Sequence, residues 1–120
     1  MTTLLSEHEM QKSIIAECVI RANQNPLFGR VAAIPNGQFR PGQRKEPGLT
    51  PGLPDLILLA PRHGYHGIVL ELKVGNNRAS KEQIDWLSWL KSQGYYTCIV
   101  RDDPQAAMDI LCWYVGDDSE

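Results

Sequence analysis

The sequence lacks the features that would assign it to a membrane or to a secreted class of proteins. None of its apolar runs approaches the roughly 20 residues that a membrane-spanning helix requires, and its first residues lack the basic start and apolar core of a secretory signal. We therefore expect an intracellular, cytoplasmic protein without contact to a membrane. A chain of 120 residues is expected to form one domain, residues 1–120, around a single hydrophobic core.

Motifs for disulfides and for zinc are also missing. Cys18, Cys98 and Cys112 show no Cys-x-x-Cys spacing and lie in apolar surroundings, so reduced, packed thiols fit them better than a disulfide framework. The three histidines form no His-Glu-x-x-His pattern. His63 and His66 flank a turn, and we expect them to be hairpin residues rather than metal ligands.

Basic residues are absent from one part of the chain. All 12 Lys and Arg lie in residues 1–101 together with 8 Asp and Glu, whereas residues 102–120 carry 6 acids and no base. The formal charge of -2 therefore hides a basic body with an acidic end. Such a body suits a partner that carries phosphates, although charges that only keep the protein soluble are the alternative.

Hydrophobic periodicity and capping signals predict an α/β chain in the order helix, three strands, helix, strand, helix. Two capping boxes are expected, from Ser6 to Glu9 and from Ser80 to Gln83. The predicted helices cover residues 5–23, a segment from 80 and a segment from Asp103-Pro104, and the predicted strands cover 30–35, 55–60, 67–74 and 95–101. The apolar face of the first helix is expected to comprise Met10, Ile14, Ile15, Cys18 and Val19. In the second helix, the residues expected to pack inward are Ile84, Trp86, Leu87 and Leu90.

The predicted connections specify a mixed sheet. Residues 61–66 have the turn residues and the length of a hairpin connection, so the second and third strands should pair antiparallel. The third and fourth strands are separated by a helix, which favours a right-handed crossover and parallel pairing. We therefore predict a small α/β sandwich, with helices flanking the sheet and a helix at the C-terminal end.

A segment without apolar periodicity, residues 36–54, interrupts this pattern. It is dense in Gly and Pro and carries Arg40, Arg44 and Lys45, so it is predicted to be a long loop. Long loops in compact domains are usually functional or mobile. These three residues place positive charge on the loop, which suits a partner that carries phosphates; a disordered insertion whose charges only solvate it is the alternative.

The third predicted strand contains an unusual pair of charges. Because side chains alternate along a strand, Glu71 and Lys73 should share one face while Leu70 and Leu72 share the other. Asp55 precedes the neighbouring strand and could meet the pair. Taken alone, Glu71 and Lys73 would be interpreted as a surface ion pair of little energetic consequence. With Asp55 beside them, they suit a hard divalent ion and a catalytic ammonium.

These residues belong to an ordered set of motifs. The set comprises Gly52-x-Pro54-Asp55, then Tyr65-His66-Gly67, then Glu71-x-Lys73, the helix start from Ser80 to Gln83, and a Gly94-Tyr95 turn. It resembles the PD-(D/E)XK nuclease superfamily and, more narrowly, the VRR-NUC (virus-type replication-repair nuclease) family. The similarity extends over most of the chain. It implies a restriction-endonuclease-like core with the αβββαβ order predicted above.

The resemblance also implies roles for individual residues. Mg²⁺ or Mn²⁺ would be held by Asp55, Glu71 and the backbone carbonyl of Leu72, with Lys73 as the catalytic lysine. An acid from the first helix is implied as well; Glu7 is our choice and Glu9 is the competitor. Gln83 matches a glutamine of the family that holds a water or a phosphate, and simple capping of Ser80 is its alternative. Arg78 and Lys81 are candidates for DNA phosphate contacts.

The function that the resemblance implies is metal-dependent cleavage of DNA. Stand-alone members resemble phage-type homodimers that cut branched DNA such as four-way (Holliday) junctions, which would place the protein in a bacterial or phage-infected cell. A catalytically silent DNA-binding module and a related exonuclease are the alternatives. Trp86, Trp89 and Trp113 are candidates for a dimer surface, although tryptophan more commonly packs in the core.

Overall fold

The structure is a computed structural model that describes residues 5–35 and 47–116. Its elements follow the predicted order. The helices are α1 (Glu7–Arg21), α2 (Lys81–Ser92) and α3 (Pro104–Val115), with a 3-10 helix at Pro26–Arg30, and the strands are β1 (Ala32–Ala33), β2 (Leu56–Leu58), β3 (Ile68–Lys73) and β4 (Tyr96–Arg101).

The four strands form one mixed sheet in the order β1-β2-β3-β4. Strands β2 and β3 pair antiparallel, with Leu56 opposite Leu70, and β3 and β4 pair parallel, with Glu71 opposite Ile99. Both predicted pairings are confirmed. The carboxyl end of β3 therefore lies beside the start of β2, where Asp55 is, and beside the end of β4.

Helices cover both faces of the sheet, which buries every residue of β3. Leu70 and Leu72 pack in the larger core with α1 and α3, whereas Val69 packs with Leu87 and Leu90 of α2. The predicted alternation of β3 is thus confirmed. Glu71 and Lys73 are therefore buried on the face of β3 that Val69 shares.

Side-chain caps begin the helices where local sequence predicts them. At α1, Ser6 Oγ accepts from the Glu9 amide and Glu9 Oε1 accepts from the Ser6 amide, which completes a capping box. Ser80 and Gln83 form the same pair of bonds at α2. Asp103 caps α3 by accepting from the Gln105 amide.

Some predictions at the edges of these elements are wrong. Residue 30 ends a 3-10 helix instead of beginning a strand, and regular pairing is limited to Ala32 and Ala33. Val19 is 64% exposed and Ile84 is 56% exposed, although both were expected to pack inward. Each lies beside the buried stripe of its helix, where the neighbouring layer no longer reaches.

The tryptophans divide between core and surface. Trp86 is half-buried, whereas Trp89 and Trp113 are 54% and 46% exposed. The expectation that tryptophan packs in the core is therefore wrong for these two residues. His63 stacks on Trp113 with ring centroids 4.4 Å apart, so this histidine is a hairpin residue, as predicted.

The three cysteines are unpaired and pack with the core. Burial raises the pKa of the Cys18 thiol to about 11, which keeps it protonated and inert at neutral pH. Within the part of the chain that the structure describes, no helix is both long and apolar enough to cross a membrane.

Candidate active site

Glu71 and Lys73 form a buried ion pair at the carboxyl end of β3. Lys73 Nζ lies 3.7 Å from Glu71 Oε2, and the two side chains are 7% and 0% exposed. An exposed pair of this kind would have little consequence. A buried pair instead requires its surroundings to compensate for lost hydration, so the interpretation as a surface ion pair is wrong.

Asp55 meets the pair because of the hairpin register. Its amide donates to the Leu70 carbonyl at 3.0 Å, and its Oδ2 accepts from the Leu72 amide at 2.7 Å. These two bonds extend the β2–β3 ladder and orient the carboxylate across the end of β3. Asp55 therefore sits beside Glu71, as the spacing of the two motifs suggested.

Gln83 connects helix α2 to this cluster. Its side-chain Oε1 accepts from the Ser80 amide at 2.8 Å, and its Nε2 donates to Glu71 Oε2 at 2.9 Å. Capping and a role at the site were alternatives in the sequence. The geometry combines them, because one side-chain amide uses its acceptor for the cap and its donor for the carboxylate.

The environment of Glu71 disfavours its charged form. Burial is the main cause, and the nearby charge of Asp55 adds to it, so the pKa of the Glu71 carboxyl rises to about 8; Lys73 opposes this shift. Among the described residues, no group donates a hydrogen bond to Glu71 Oε1; a hydrogen bond with Asp55 forms only when Glu71 is protonated, which also raises the pKa of Glu71. A buried, unpartnered carboxylate oxygen is costly, and a cation beside Asp55 would relieve that cost.

Helix α1 contributes Glu7 and not Glu9. Glu7 is half-buried, its Oε2 is 3.4 Å from Asn77 Nδ2, and its charge also raises the pKa of Glu71. Glu9 is exposed and engaged in the cap of α1; its bonds to Ser6 lower its pKa. The geometry therefore favours Glu7 as the acid nearest the cluster.

A cavity of about 500 Å³ opens at this end of the sheet. Gly52 shapes one wall: its φ is 98°, and a Cβ there would lie 2.7 Å from backbone atoms of Glu82, so only glycine fits. This close approach explains the glycine of the Gly-x-Pro-Asp motif. The lining residues are Glu7, Pro51, Gly52, Leu53, Asp55, Lys73, Arg78, Ser80, Glu82 and Gln83.

The donor set suits a hard divalent cation more than a soft one. It consists of carboxylate oxygens with an ammonium nearby, and Mg²⁺ or Mn²⁺ prefers oxygen ligands and keeps several waters. The unpartnered Glu71 Oε1 supports this fit. Within residues 5–35 and 47–116, no group of three or more His, Cys, Asp or Glu side chains is arranged to hold a metal. The fit therefore rests on Asp55 and Glu71, with Glu7 close by.

The remaining candidates separate by position. Arg78 lines the cavity, whereas Lys81 is exposed in the first turn of α2. The basic residues of the long loop, Arg40, Arg44 and Lys45, lie outside the described residues. Sequence reasoning did not single out Glu82 as a lining residue, because only the close approach of Gly52 reveals that position.

Comparison with known proteins agrees with this geometry. A family model of the VRR-NUC domain matches residues 4–102. The chain belongs to the VRR-NUC family. A solved VRR_NUC domain protein is 26% identical to it, covers 96% of this chain and 93% of its own, and superposes with a TM-score of 0.72. None of the curated proteins compared with the chain matches it.

Two of the sequence motifs that resemble the VRR-NUC family contact each other in the structure. In this VRR-NUC domain, the Tyr65-His66-Gly67 motif packs on the Gly94-Tyr95 turn: the His66 amide donates to the Gly94 carbonyl at 2.9 Å, and a Cβ on Gly94 would lie 2.7 Å from the His66 ring. These motifs hold the hairpin end of β3 in place. The fold is thus of the nuclease type, with separate motifs for the scaffold and for the cavity.

Proposed function

We propose that this VRR-NUC domain is a metal-dependent DNA endonuclease that hydrolyses phosphodiester bonds at the cavity of Asp55 and Lys73. The observation that carries the proposal is the buried carboxyl group of Glu71 between Asp55, Lys73 and Gln83, one of whose oxygens has no hydrogen-bond partner within residues 5–35 and 47–116. A protein gains no stability from such an arrangement. Perturbed carboxylates at a cavity are typical of functional sites.

Asp55 and Glu71 would hold the ion, with Glu7 and the Leu72 carbonyl as further ligands. When bound, Mg²⁺ or Mn²⁺ would supply charge neutralisation at the phosphate and a more acidic water. Lys73 carries a point charge, and its Nζ is held 3.7 Å from Glu71 Oε2 by their ion pair. Its ammonium can hydrogen-bond an attacking water and offset the charge that develops on the phosphate oxygens.

The substrate that we propose is branched DNA such as a four-way junction, bound by a homodimer. Arg78 on the cavity wall would contact the scissile strand, with Lys81 and the loop residues Arg40, Arg44 and Lys45 contacting flanking phosphates. Two sites related by a two-fold axis could cut two strands of a symmetric junction. The family resemblance supports this substrate.

The test compares the protein with Lys73→Ala on four-way junction, flap, single-stranded and linear duplex DNA. Each substrate is incubated with Mg²⁺, Mn²⁺ or EDTA. We expect cleavage only with metal and a loss of about 10²–10³-fold in the variant, the cost of removing one preorganised donor. Lys91→Ala, an exposed lysine in the last turn of α2, is the control and should cut normally.

The outcomes separate the alternatives. DNA binding without metal-dependent cutting, unchanged by Lys73→Ala, would mean a catalytically silent module. Products released only from DNA ends would mean an exonuclease. Equal cutting of linear duplex and junction would contradict the proposed preference for branched DNA while leaving the hydrolytic activity in place.

A further inference from the structure

The connection between β3 and α2, residues 74–80, is held by the last residue of β4 and the residue that follows it. This connection follows Lys73 directly and carries Arg78 to the cavity. It has few buried apolar side chains of its own, since residues 76–78 are exposed. Its position relative to the cluster must therefore come from polar contacts.

Arg101 and Asp102, at the end of β4, supply those contacts. Arg101 Nη1 donates to the Gly75 carbonyl at 2.8 Å and to the Asn77 carbonyl at 2.6 Å. Asp102 Oδ1 accepts from the Gly75 amide at 2.7 Å, and the Asp102 amide donates to the Lys73 carbonyl at 2.9 Å. All four bonds converge on residues 73–77, immediately after the catalytic strand.

The backbone at Asp102 shows that this arrangement has a cost. Its φ is 62°, a left-handed conformation that non-glycine residues rarely adopt. That conformation places the Asp102 amide against Lys73 and its carboxylate against Gly75. Outliers of this kind persist where the surrounding structure requires them and cluster at functional sites.

We call the four bonds from Arg101 and Asp102 the clamp. The connection that they hold reaches the cluster of Asp55, Glu71 and Lys73 on two sides. Arg101 lies opposite Lys73 in the parallel register, so the clamp begins at the catalytic lysine. At its other end, Asn77 Nδ2 lies 3.4 Å from Glu7 Oε2, and Arg78 lines the cavity. The bonds from Arg101 and Asp102 therefore help to fix both Arg78, the cation on the cavity wall, and Asn77, the neighbour of Glu7.

We infer that Arg101 and Asp102 are positioning residues that hold residues 74–80, so that Arg78 faces the same phosphate as Lys73 and Asn77 stays beside Glu7. The inference rests on the proposed nuclease function. Neither residue lines the cavity, and both act through the backbone of the connection. Loosening the clamp should weaken substrate use much more than it weakens the fold.

Three substitutions of Asp102 separate the backbone conformation from the bond. Asp102→Asn keeps both the left-handed conformation and an acceptor for the Gly75 amide. Asp102→Gly keeps only the conformation, and Asp102→Ala keeps neither. With a four-way junction and Mn²⁺, we expect kcat/KM near the parent value for Asn, about tenfold lower for Gly and lower again for Ala, since small misplacements cost up to about 10²-fold.

Amide hydrogen exchange gives a readout without catalysis. Asp102→Gly should speed exchange at Gly75 while amides in the centre of β3 keep their protection. If the parent protein cuts no DNA, the nuclease proposal fails and the exchange result still reports on the clamp. If it cuts and the Asn and Gly variants are equal in kcat/KM and in Gly75 exchange, the positioning role is overturned.

A second variant tests whether Arg101 contacts DNA directly instead of acting through the connection. Arg101→Gln should raise KM about fivefold and leave the salt dependence of KM unchanged, because a lost phosphate contact would reduce that slope by about one. Arg30→Gln, an exposed arginine that lines a different cavity beside β1, is the matched control and should behave like the parent. A reduced slope for Arg101→Gln alone would overturn the positioning role.

Discussion

The two ends of the sheet treat buried polar groups in opposite ways. At the carboxyl end of β3, Glu71 is fully buried, is close to the carboxylate of Asp55 and has one oxygen without a hydrogen-bond partner in the part of the chain that the structure describes. At the hairpin end, Tyr114 is equally buried, but its hydroxyl donates to the Ala60 carbonyl at 2.6 Å. One end of the sheet thus holds an electrostatically costly cluster, and the other end lies beside a buried polar group that is satisfied.

The difference shows where this fold is stabilised and where stability is given up. The hairpin end gathers stacked and edge-on rings, with His63, Trp113, Tyr96 and Tyr65 in sequence of contact, and aromatic pairs of this geometry stabilise. The other end gathers charge around a cavity. Proteins violate the rules of polar satisfaction chiefly at functional sites, so the comparison predicts opposite responses to mutation.

Replacing Glu71 should have the largest effect: it should abolish DNA cleavage and raise the stability of the metal-free protein. Glu71→Gln removes a proposed metal ligand, so cleavage should fall below detection. The metal-free fold should become more stable, because the pKa of Glu71 is raised from 4.5 to about 8 and the folded state disfavours the charged form. The gain should grow as the pH rises toward 8 and reach several kcal/mol, because each unit by which the pKa is raised is worth about 1.4 kcal/mol.

The sign of the pH dependence gives the sharper measurement. Between pH 4.5 and about 8 the folded protein binds more protons at Glu71 than the unfolded chain does, so the stability of the parent protein falls as pH rises. Below pH 4.5 the group is neutral in both states and the penalty vanishes. Urea unfolding in EDTA from pH 4 to 9 should show a difference from Glu71→Gln that grows with pH; a constant difference would contradict the assignment.

Gln83 allows a smaller test at the same end. Gln83→Glu keeps the acceptor for the Ser80 amide but places a further carboxylate beside Glu71, in addition to Asp55, so activity should fall about tenfold while α2 stays capped. Ser80→Ala is the matched variant: it removes the cap, should cost about 1 kcal/mol in the free energy of unfolding, and should leave the contact between Gln83 and Glu71. Equal losses of activity in both variants would show that capping alone matters.

The sequence could predict this end of the sheet only in part. The caps at Ser6 and Ser80 depend on residues three positions apart, and the faces of β3 follow from alternation, so local rules suffice. The alternation could not reveal that the face of Glu71 is covered, since that depends on where α2 packs. The same packing leaves Ile84 exposed.

The contacts that fix the β3–α2 connection were beyond sequence reasoning for a related reason. Arg101 and Gly75 are 26 positions apart, and nothing in an exposed Arg-Asp pair at a strand end distinguishes it from a solvated surface. The parallel pairing of β3 and β4 brings the two together. Only the register of β3 against β4, which is a tertiary property, could have shown that Arg101 contacts Gly75.

The last test concerns the hairpin end, where no effect on cleavage is expected. Tyr114→Phe keeps the ring in the core but leaves the Ala60 carbonyl without its donor, which should lower the free energy of unfolding by about 1–2 kcal/mol. Tyr96→Phe is the control, because Tyr96 is half-buried and water can replace a partner of its hydroxyl; its cost should be smaller. Neither variant should change the rate of cleavage at a temperature where both are folded. A loss of cleavage in Tyr114→Phe without a loss of stability would mean that the two ends are coupled through β3, and the division between a stabilising end and a functional end would no longer hold.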